Sequence, residues 1–455
     1  MEKNRIRRIQ VKNLFDNISY DIDMTKNDSV SIITAPNGRG KTTILNLTSF
    51  LFNPRYETFD MIRTIPFDEF KCYLSNGKVV ALKQIKKTYE DSTVDIIRNA
   101  RTVREQMEIS ANTYFKNIDF EFSISGEEKK SITLLFSEAL NATFGMETDE
   151  YLDEDDNERY YVRGFRIPVR TRLNYVWKMQ NQYLNTNECC IFINYIKADR
   201  IQPVIVPPRN MREYDEVRHE SPLKLASDNI IKIIKKTVEE YNEEVSKAKD
   251  KLPQMFLDGE GSGMSSEEFI DGWTVYRNEL NQFQEIGLIT STEDFIKDKD
   301  IKQFYQEQEK GAFLSTYLSA FKHTTAPLEN LYRRLSLFKK IFDERNRITG
   351  KKIEFGKQGI SLISNGKELS LETLSSGEKH DFIMFYNLIF NIKDHGLVLV
   401  DEPEISLHIE WQESYLDRLI EICELNDLQA IVATHSPNIV SSHYDLLVDK
   451  GEING

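Results

Sequence analysis

The stretch Ala35–Thr42, APNGRGKT, decides the fold of this chain. It matches the pattern G-x-x-x-x-G-K-[ST] at every position except the first, where Ala35 replaces glycine. The apolar run Val30–Ile33 before it predicts a buried strand, and Thr43–Leu47 after it predicts the start of a helix. A glycine turn between a strand and a helix directs backbone N–H groups at phosphate oxygens. The sequence therefore predicts a phosphate-binding loop in an α/β fold, rather than an ordinary glycine turn.

Individual residues of the loop have distinct predicted tasks. Lys41 is expected to reach the β- and γ-phosphates of a nucleotide, and Thr42 to ligate Mg²⁺. Ala35 is compatible with the loop if its φ angle is negative, because only a positive φ strongly favours glycine. Five more residues are expected to contact the nucleotide: Asn37, Gly38, Arg39, Gly40 and Thr43.

Composition indicates a soluble globular chain. Its 455 residues, 40% hydrophobic and 29% charged, are enough for two or three domains. No apolar run approaches the ~18 residues of a membrane span, and the charged start Met1–Arg5 lacks a signal-peptide core, so we expect a cytoplasmic protein without membrane contact. The four cysteines form no C-x-x-C pair, which argues against structural zinc. The run Cys189–Ile193 predicts a buried strand with cysteines in the core.

The net charge of −14 argues against a surface that binds nucleic acid everywhere. The acidic stretch Glu147–Glu158 predicts a solvated loop, and a mimic of nucleic acid is the second interpretation. Basic residues do recur along the first predicted strand, where a local nucleic-acid patch and a solvated strand face explain them equally well: Arg5, Arg7, Arg8 and Lys12.

The chain divides into three predicted parts. Residues 1–205 are mixed α/β, with Ile6–Val11 and Ile18–Ile22 as neighbouring strands and a hairpin around Asn76-Gly77. Residues 206–350 are helical and charged, with a break at Gly259–Gly263, and lack a long heptad run. Residues 351–455 return to strands and helices, with a hairpin at Asn365-Gly366.

Three motifs in the last part add chemistry to the loop. Leu374–Glu378, LSSGE, is a serine and glycine turn that opens an apolar helix. Leu397–Glu402 is an apolar strand that ends in two carboxylates, and Ala430–His435 is a second apolar strand that ends in a histidine. Each motif alone is usually structural. Their order changes this, because the carboxyl ends of parallel strands converge on one crevice.

The polar residues at these ends have predicted roles. Asp401 is placed to hold Mg²⁺, directly or through water. Glu402 can accept the proton of the water that attacks the γ-phosphate, and His435 can hydrogen-bond that phosphate. The turn is expected to present hydroxyl and backbone donors to a phosphate through four residues: Ser375, Ser376, Gly377 and Glu378.

Together these motifs resemble an ABC-type ATPase. The resemblance implies an α/β fold of the ABC-type P-loop ATPase head, a mixed sheet flanked by helices, with a helical insertion or short coiled-coil arm. Its Walker A motif is Ala35–Thr42, its D-loop is Glu404–His408 and its switch histidine is His435. The forms LSSGE, DEPEISLH and THSP, with the strand Tyr195–Arg200, are similar to the OLD, RecF and SMC branch.

Within that branch the chain resembles the stand-alone ATPase subunits of bacterial anti-phage systems such as Septu and PARIS. Long SMC-type arms are missing, and because only twenty residues follow His435, we expect no nuclease domain in cis. The resemblance implies a homodimer or higher homo-oligomer that sandwiches ATP and Mg²⁺, with Ser376 and Gly377 of one subunit facing Lys41 of another. It also implies a separately encoded effector of HNH or TOPRIM nuclease type, and contact with nucleic acid through that complex.

Two questions stay open at the level of the sequence. The alternative function is a DNA-repair or chromosome-maintenance ATPase of RecF or SMC type that binds DNA directly. Gln84 is a candidate for the glutamine loop that follows Walker A, although it falls in a predicted hairpin. Phe15 and Tyr20 are candidates to stack on adenine, although core packing explains both.

Overall fold

The computed structural model divides the chain into two units, Met1–Asp199 with Lys393–Gly455, and Arg200–Ile392. Each unit is described by itself. The residues that the structure describes are 4–26, 29–36, 38–86, 118–126, 132–135, 169–186, 188–197, 221–260, 264–290, 301, 305–356, 359–392, 395–405, 407, 409–448 and 450–452.

The first unit contains two sheets. The antiparallel sheet has the order β14-β2-β1-β4-β5-β6-β7, and the parallel sheet has the order β3-β13-β12-β8. The strands are β1 Ile6–Leu14, β2 Ile18–Asp23, β3 Val30–Thr34, β4 Glu69–Leu74, β5 Val79–Lys86, β6 Ile118–Ser125, β7 Ile132–Leu135, β8 Ile193–Lys197, β12 Leu397–Asp401, β13 Gln429–Thr434 and β14 Lys450–Glu452.

The parallel sheet positions the predicted site. Its strands β12 and β13 are buried along their whole length, as expected for a sheet covered on both faces. In register, Asp401 lies beside Lys197 on one side and Ala433 on the other, and Thr434 lies beside Thr34. The carboxyl ends of β3, β12 and β13 therefore meet at one edge, which confirms the convergence expected from the sequence.

Five helices complete the part of the first unit that the structure describes. Helix α1 (Lys41–Phe52) contacts β12 and β13 of the parallel sheet and β5 of the antiparallel sheet, so it joins the two sheets. Phe50 of α1 packs edge-on against Trp177, and Gln180 Nε2 donates to the carbonyl of Leu51 at 2.9 Å. The other helices are α2 Tyr56–Ile62, α3 Val169–Thr186, α9 Ile409–Asn426 and α10 Pro437–Val440.

The second unit is mainly helical. Helix α4 (Pro222–Leu257) has 36 residues and a length of ~54 Å. It contacts the helices α6, α7 and α8 and the strand β10. The elements of this unit are α5 Ser266–Glu285, α6 Gln308–Phe321, α7 Ala326–Arg345, α8 Ser376–Tyr386, β9 Lys351–Gly356, β10 Gly359–Ser364 and β11 Lys367–Leu369. The three strands form a sheet in the order β11-β10-β9.

Several predicted elements are confirmed. The pairs β1 with β2 and β4 with β5 are antiparallel, and the hairpin at Asn76-Gly77 joins β4 to β5. Strands β10 and β11 pair around Asn365-Gly366. Helix α4 ends at Leu257 and α5 begins at Ser266, on either side of the predicted break, of which residues 261–263 lie outside the described residues. Among the helices that the structure describes, none is both long and apolar enough to cross a membrane.

The predicted strand at Cys189–Ile193 is wrong for its first four residues, because β8 begins only at Ile193. The N–H of Cys189 closes the end of α3 by donating to the carbonyl of Leu184 at 2.8 Å, so it is not available for a strand. Cys189 is buried as predicted, but Cys190 is exposed and Phe192 is 52% exposed.

Of the two predicted domain boundaries, one lies outside the described residues and the other falls inside the second unit. The boundary at 205/206, the acidic stretch Glu147–Glu158 and the end of the predicted strand at Tyr195–Arg200 lie outside the described residues. The boundary at 350/351 falls inside the second unit, which keeps Leu374–Glu378 with the helices instead of with the C-terminal strands.

Candidate nucleotide-binding site

The phosphate loop has the backbone that its glycines predict. Gly38 and Gly40 have φ angles of 78° and 85°, in the region that favours glycine. A Cβ added to Gly40 would lie 2.6 Å from Leu14 Cδ2, so no larger residue fits there without movement. The φ angle of Ala35 is not positive, so Ala35 meets the condition under which it can replace glycine. Tyr20 steadies the loop by donating its hydroxyl to the carbonyl of Arg39 at 2.9 Å.

Lys41 lies inside the loop rather than in solvent. The residue is 5% exposed, and its Nζ donates to the carbonyl of Ala35 at 2.6 Å and, less closely, to that of Pro36 at 3.4 Å. Gly40 is the N-cap of α1, and its carbonyl accepts from the N–H of Ile44 at 2.9 Å. The loop therefore combines an ammonium group with the amino end of a 12-residue helix, and both favour a bound anion.

Thr42 and Asp401 meet across the edge of the parallel sheet. Thr42 Oγ1 donates to Asp401 Oδ1 at 3.1 Å, although the two residues are 359 positions apart. A hydroxyl and a carboxylate are hard oxygen ligands, which suits Mg²⁺ when phosphates and water complete its shell. The described residues contain no group of three or more acidic, histidine or cysteine side chains that could hold a metal.

Tyr195 on β8 supports the Asp401 carboxylate. Burial raises the pKa of the Tyr195 hydroxyl, and the negative charge of Asp401 raises that pKa further. The phenol therefore stays protonated and adds no negative charge beside the carboxylate. Its strand was predicted from the resemblance, but this role was not, because the packing of β8 against β12 cannot be read from a single strand.

Glu402 has an unusual backbone at the end of β12. Its φ angle is 46°, a conformation that costs a residue with a side chain ~1–2 kcal/mol. The N–H of Glu402 donates to the carbonyl of Ala433 at 2.8 Å, which holds this turn against β13. Such strain is concentrated at functional sites. The side chain is 26% exposed, so a water molecule can reach its carboxylate.

His435 follows β13 and lies between two carboxylates. Its Nδ1 is 3.1 Å from Glu404 Oε1 and 3.7 Å from Glu402 Oε1. Glu404 Oε1 also accepts from Thr434 Oγ1 at 2.8 Å and from the N–H of His435 at 3.0 Å. We predicted Glu404 only as the first residue of the D-loop. The sequence signal that could have pointed to Glu404 is the pattern Glu402-Pro403-Glu404, in which a second glutamate follows the proline.

The LSSGE turn lies in the second unit. Ser375 and Glu378 form a capping box in which Ser375 Oγ accepts from the N–H of Glu378 at 3.3 Å. Glu378 also accepts from Lys351 Nζ at 2.7 Å, and these donors outweigh burial and lower the pKa of its carboxyl. The side chains of Ser375 and Glu378 are therefore used within the turn. Ser376 and Gly377 are exposed, and no described atom lies within 4 Å of a Cβ added to Gly377.

The remaining candidate residues differ in burial and in what their side chains contact. Gln84 is buried and holds the preceding loop, because its side chain accepts from the N–H of Phe67 and donates to the carbonyl of Ile65, both at 3.1 Å. Tyr20 is 3% exposed and packs in the core. Phe15 is partly buried, and its ring atom Cε2 is 3.2 Å from the position of a Cβ added to Gly40. Asn37, Ser406 and His408 lie outside the described residues.

Comparison with known proteins agrees with this chemistry. A family model described as "AAA domain, putative AbiEii toxin, Type IV TA system" matches residues 269–441, which include Ser376, Asp401, Glu402 and His435. The chain is 30% identical over 94 residues to the Retron Vc95 probable ATPase of Vibrio cholerae serotype O1 biovar El Tor. That match covers 18% of this chain and 18% of the relative.

Solved structures give a weaker comparison. A crystal structure of the SmcHead bound to the C-winged helix domain of ScpA is 12% identical, with a TM-score of 0.34 over 98% of each chain. An Smc head domain with an extended coiled coil, bound to the C-terminal domain of ScpA and derived from Pyrococcus furiosus, is 13% identical. Its TM-score is 0.33 over 99% of this chain and 96% of that chain. These scores are too low to support an inference.

The fold class follows from the chain itself. A glycine loop between β3 and α1, and a parallel sheet that brings an acidic strand end beside that loop, are the parts of a P-loop ATPase head in a mixed α/β protein. The family model adds that residues 269–441 are similar to an AAA domain.

Proposed function

We propose that this chain is a Mg²⁺-dependent ATPase whose nucleotide-driven dimerisation controls a separately encoded effector, a nuclease or a toxin, in bacterial anti-phage defence. The observation that carries the ATPase part is the contact at 3.1 Å between Thr42 Oγ1 and Asp401 Oδ1, next to a phosphate loop that holds Lys41. This contact joins two motifs that are far apart in the sequence and have one shared use, a magnesium–nucleotide site.

Each residue has a task in this proposal. The loop N–H groups and Lys41 bind the β- and γ-phosphates of ATP, while Thr42 and Asp401 are the protein ligands of Mg²⁺. When bound, Mg²⁺ neutralises charge on the phosphates. Glu402 accepts the proton of the attacking water, and His435 hydrogen-bonds the γ-phosphate. The exposed carboxylate of Glu402 beside His435 supports this division.

Dimerisation is proposed from the LSSGE turn. Ser376 and Gly377 are exposed on the first turn of α8, where backbone N–H groups are available to an anion. We propose that they complete the ATP site of a second copy, as the resemblance to ABC-type ATPases implies. ATP then holds two copies together, and hydrolysis releases them.

The effector is proposed from the relatives. One matched protein is named as a retron ATPase, and the matched family model is described by a toxin of a type IV toxin–antitoxin system. Both names support a defence role for this chain. The resemblance to Septu and PARIS subunits favours an effector of HNH or TOPRIM nuclease type over a toxin of another class.

The ATPase part is tested with three purified proteins. We expect the wild type to hydrolyse ATP with Mg²⁺, and Lys41→Ala to lose binding of a fluorescent ATP analogue. Glu402→Gln should bind the analogue normally, lose at least ~100-fold in turnover and accumulate as an ATP-bound dimer in light scattering. Normal binding by Lys41→Ala would exclude the proposed phosphate site, and an active Glu402→Gln variant would exclude Glu402 as the base.

The effector part needs the native cell. The chain carries an affinity tag at its chromosomal locus, and Lys41→Ala at the same locus is the matched control. Mass spectrometry of the purified complex should find one stoichiometric nuclease or toxin whose recovery differs between the two strains. Recovery of the chain alone, or with replication and repair proteins, would contradict the proposal.

A further inference from the structure

We infer that Glu404 is the positioning residue for His435: its carboxylate fixes the imidazole with Nδ1 protonated. Nε2 is then an acceptor, so its hydrogen bond to the γ-phosphate is mediated by a water molecule. The inference rests on the proposed function only for the use made of Nε2. The contact between Glu404 and the ring is a property of the folded first unit and can be measured without ATP hydrolysis.

Two hydrogen bonds and one short contact converge on one oxygen of Glu404. Oε1 accepts from Thr434 Oγ1 at 2.8 Å and from the His435 N–H at 3.0 Å, and the ring Nδ1 is 3.1 Å away. A carboxylate oxygen offers only lone pairs, and an unprotonated Nδ1 at this distance would do the same, so repulsion between them favours the proton on Nδ1. The partner of one ring nitrogen determines which nitrogen is protonated, so Glu404 selects the tautomer of His435.

Glu402 cannot provide the same contact. Its Oε1 is 3.7 Å from the ring Nδ1, beyond hydrogen-bond distance, whereas Glu404 is within it. The two carboxylates also differ in exposure, since the Glu402 side chain is 26% exposed and that of Glu404 is 7% exposed. The geometry therefore separates a buried carboxylate that holds the histidine from an accessible one that can meet water.

Burial makes a purely structural role for Glu404 expensive. An ionised carboxylate removed from water costs several kcal/mol unless hydrogen bonds compensate it. In the described part of the chain, the hydrogen bonds to its carboxylate come from the Thr434 hydroxyl and the His435 main chain, which belong to the segment that carries the switch histidine. If Glu404 only accepted hydrogen bonds from the Thr434 hydroxyl and from a main-chain N–H, a neutral acceptor would serve as well as a carboxylate.

A second link joins the same two segments. Gln412 on α9 donates to the carbonyl of Glu404 at 3.2 Å, and its side-chain oxygen accepts from Ser436 Oγ at 3.2 Å. The residues on either side of Glu404 form a short 3-10 turn, Pro403–Ile405, directly after Glu402. The segment after β12 and the segment after β13 are thus bound twice, and His435 is held where they meet.

The test uses Glu404→Gln and Glu404→Leu, with Glu413→Gln as the matched control. Gln keeps an acceptor for Nδ1 and removes the charge, Leu removes the acceptor, and Glu413 is an exposed glutamate on α9. The protein is labelled with ¹⁵N-histidine, and the signal of His435 among its seven histidines is assigned by its loss in His435→Gln. Thermal melting of each variant confirms that it is folded.

We expect the wild type and Glu404→Gln to show His435 with the proton on Nδ1, and Glu404→Leu to shift it towards the Nε2–H tautomer. ATPase assays should show kcat of Glu404→Leu reduced by roughly 10- to 100-fold with KM unchanged, as when histidines in metal sites lose an outer-shell partner. Glu404→Gln should lose less. Glu413→Gln should match the wild type.

An unchanged His435 spectrum in Glu404→Leu would overturn the inference. Should Leu prevent folding, Glu404→Ala also removes the acceptor, and an unchanged His435 spectrum in that variant would overturn the inference in the same way. The proposed function fails differently. If His435→Gln retains full ATPase activity while the spectrum of the wild type still depends on Glu404, Glu404 positions the ring but His435 is not part of catalysis.

Discussion

The two described glycines of the phosphate loop differ in what a side chain would meet. Both have positive φ angles, 78° at Gly38 and 85° at Gly40. A Cβ at Gly38 would have no described atom within 4 Å, whereas one at Gly40 would lie 2.6 Å from Leu14 Cδ2. A side chain at either position would therefore strain the backbone, but only one at Gly40 would also collide with the first strand.

This difference gives a prediction at the residue scale. Gly38→Ala should lower the free energy of unfolding by ~1–2 kcal/mol, the cost of the left-handed conformation. Gly40→Ala should lose a further ~1–3 kcal/mol, because the buried Leu14 side chain must move. Urea unfolding of the two variants measures the difference. Equal losses would show that the contact with Leu14 does not constrain the loop.

At the scale of the element, α7 and α8 are joined by a buried ion pair. Arg345 Nε donates to the carboxylate of Asp381, and the two side chains are 10% and 7% exposed. Burial raises the pKa of the Asp381 carboxyl, and the opposing effect of Arg345 is smaller. This pair anchors the helix whose first turn presents Ser376 and Gly377, so it connects the packing of the second unit to the proposed dimer contact.

Arg345→Met tests this anchor. Removing one partner of a buried ion pair costs ~3–5 kcal/mol, because the other charge stays buried. The folded pKa of Asp381 is above its unfolded value, so the folded protein binds the proton more tightly and gains stability as pH falls through that pKa. We expect the loss to be largest at neutral pH and to shrink towards pH 5. Urea unfolding at both pH values measures it.

The control for this prediction is the double variant Arg345→Met with Asp381→Leu. It removes both charges, so it should recover most of the stability and lose the dependence on pH, since a hydrophobic replacement of a buried pair is often neutral or stabilising. A single variant that is as stable as the wild type at neutral pH would show that the pair does not anchor α8.

Local patterns explain which elements the sequence could predict. The hairpin at Asn76-Gly77 and the strand Val30–Ile33 depend on neighbouring residues only, and both are confirmed. The strand at Cys189 was misplaced because the end of α3 competes for its N–H group. The capping box at Ser375 is also a local pattern, S-x-x-E, which a helix cap and a phosphate-binding turn share.

The site shows the same limit. Thr42, Asp401 and His435 could be predicted because each stands at the end of an apolar strand or at the start of a helix, where topology determines position. Glu404 and Tyr195 act through a neighbouring side chain, and one sequence carries no periodic signal for such a contact. Their contributions depend on how β12 packs between β13 and β8.

At the scale of the whole molecule, charge separates the proposed function from direct DNA binding. Three of the basic residues that suggested a patch have acidic partners: Arg5 with Asp427, Arg8 with Asp21, and Lys12 with Glu69 at 3.4 Å. Each of these cations therefore already has a counter-charge in the folded unit. Together with a net charge of −14, this disfavours a phosphate-binding surface along β1.

We therefore expect weak binding to plain duplex DNA. With ATP present and near physiological salt, the dissociation constant of the purified chain should be no tighter than the ~10⁻⁴–10⁻⁶ M of non-specific binding. Fluorescence anisotropy with a labelled duplex measures it. Tight binding that weakens steeply with added salt would support the repair or chromosome-maintenance alternative instead.

The composite ATP site makes a prediction about pairs of molecules. Lys41→Ala removes the phosphate contact of a subunit, and Ser376→Arg blocks the contact that it offers to its partner, so each variant alone should be inactive. When the two are mixed, a heterodimer joins the intact Lys41 of one copy to the intact Ser376 of the other and forms one complete site.

Complementation measures this directly. With random pairing in a two-fold symmetric dimer, half of the dimers are mixed and each has one complete site of two, so about a quarter of wild-type activity should return. Mixing Lys41→Ala with Glu402→Gln is the matched control, and it should restore nothing: if Lys41, Asp401 and Glu402 act within one subunit, both sites of every dimer are defective. An inactive mixture of the first pair would mean that each chain completes its own site, and activity in the control would mean that Glu402 acts across the dimer.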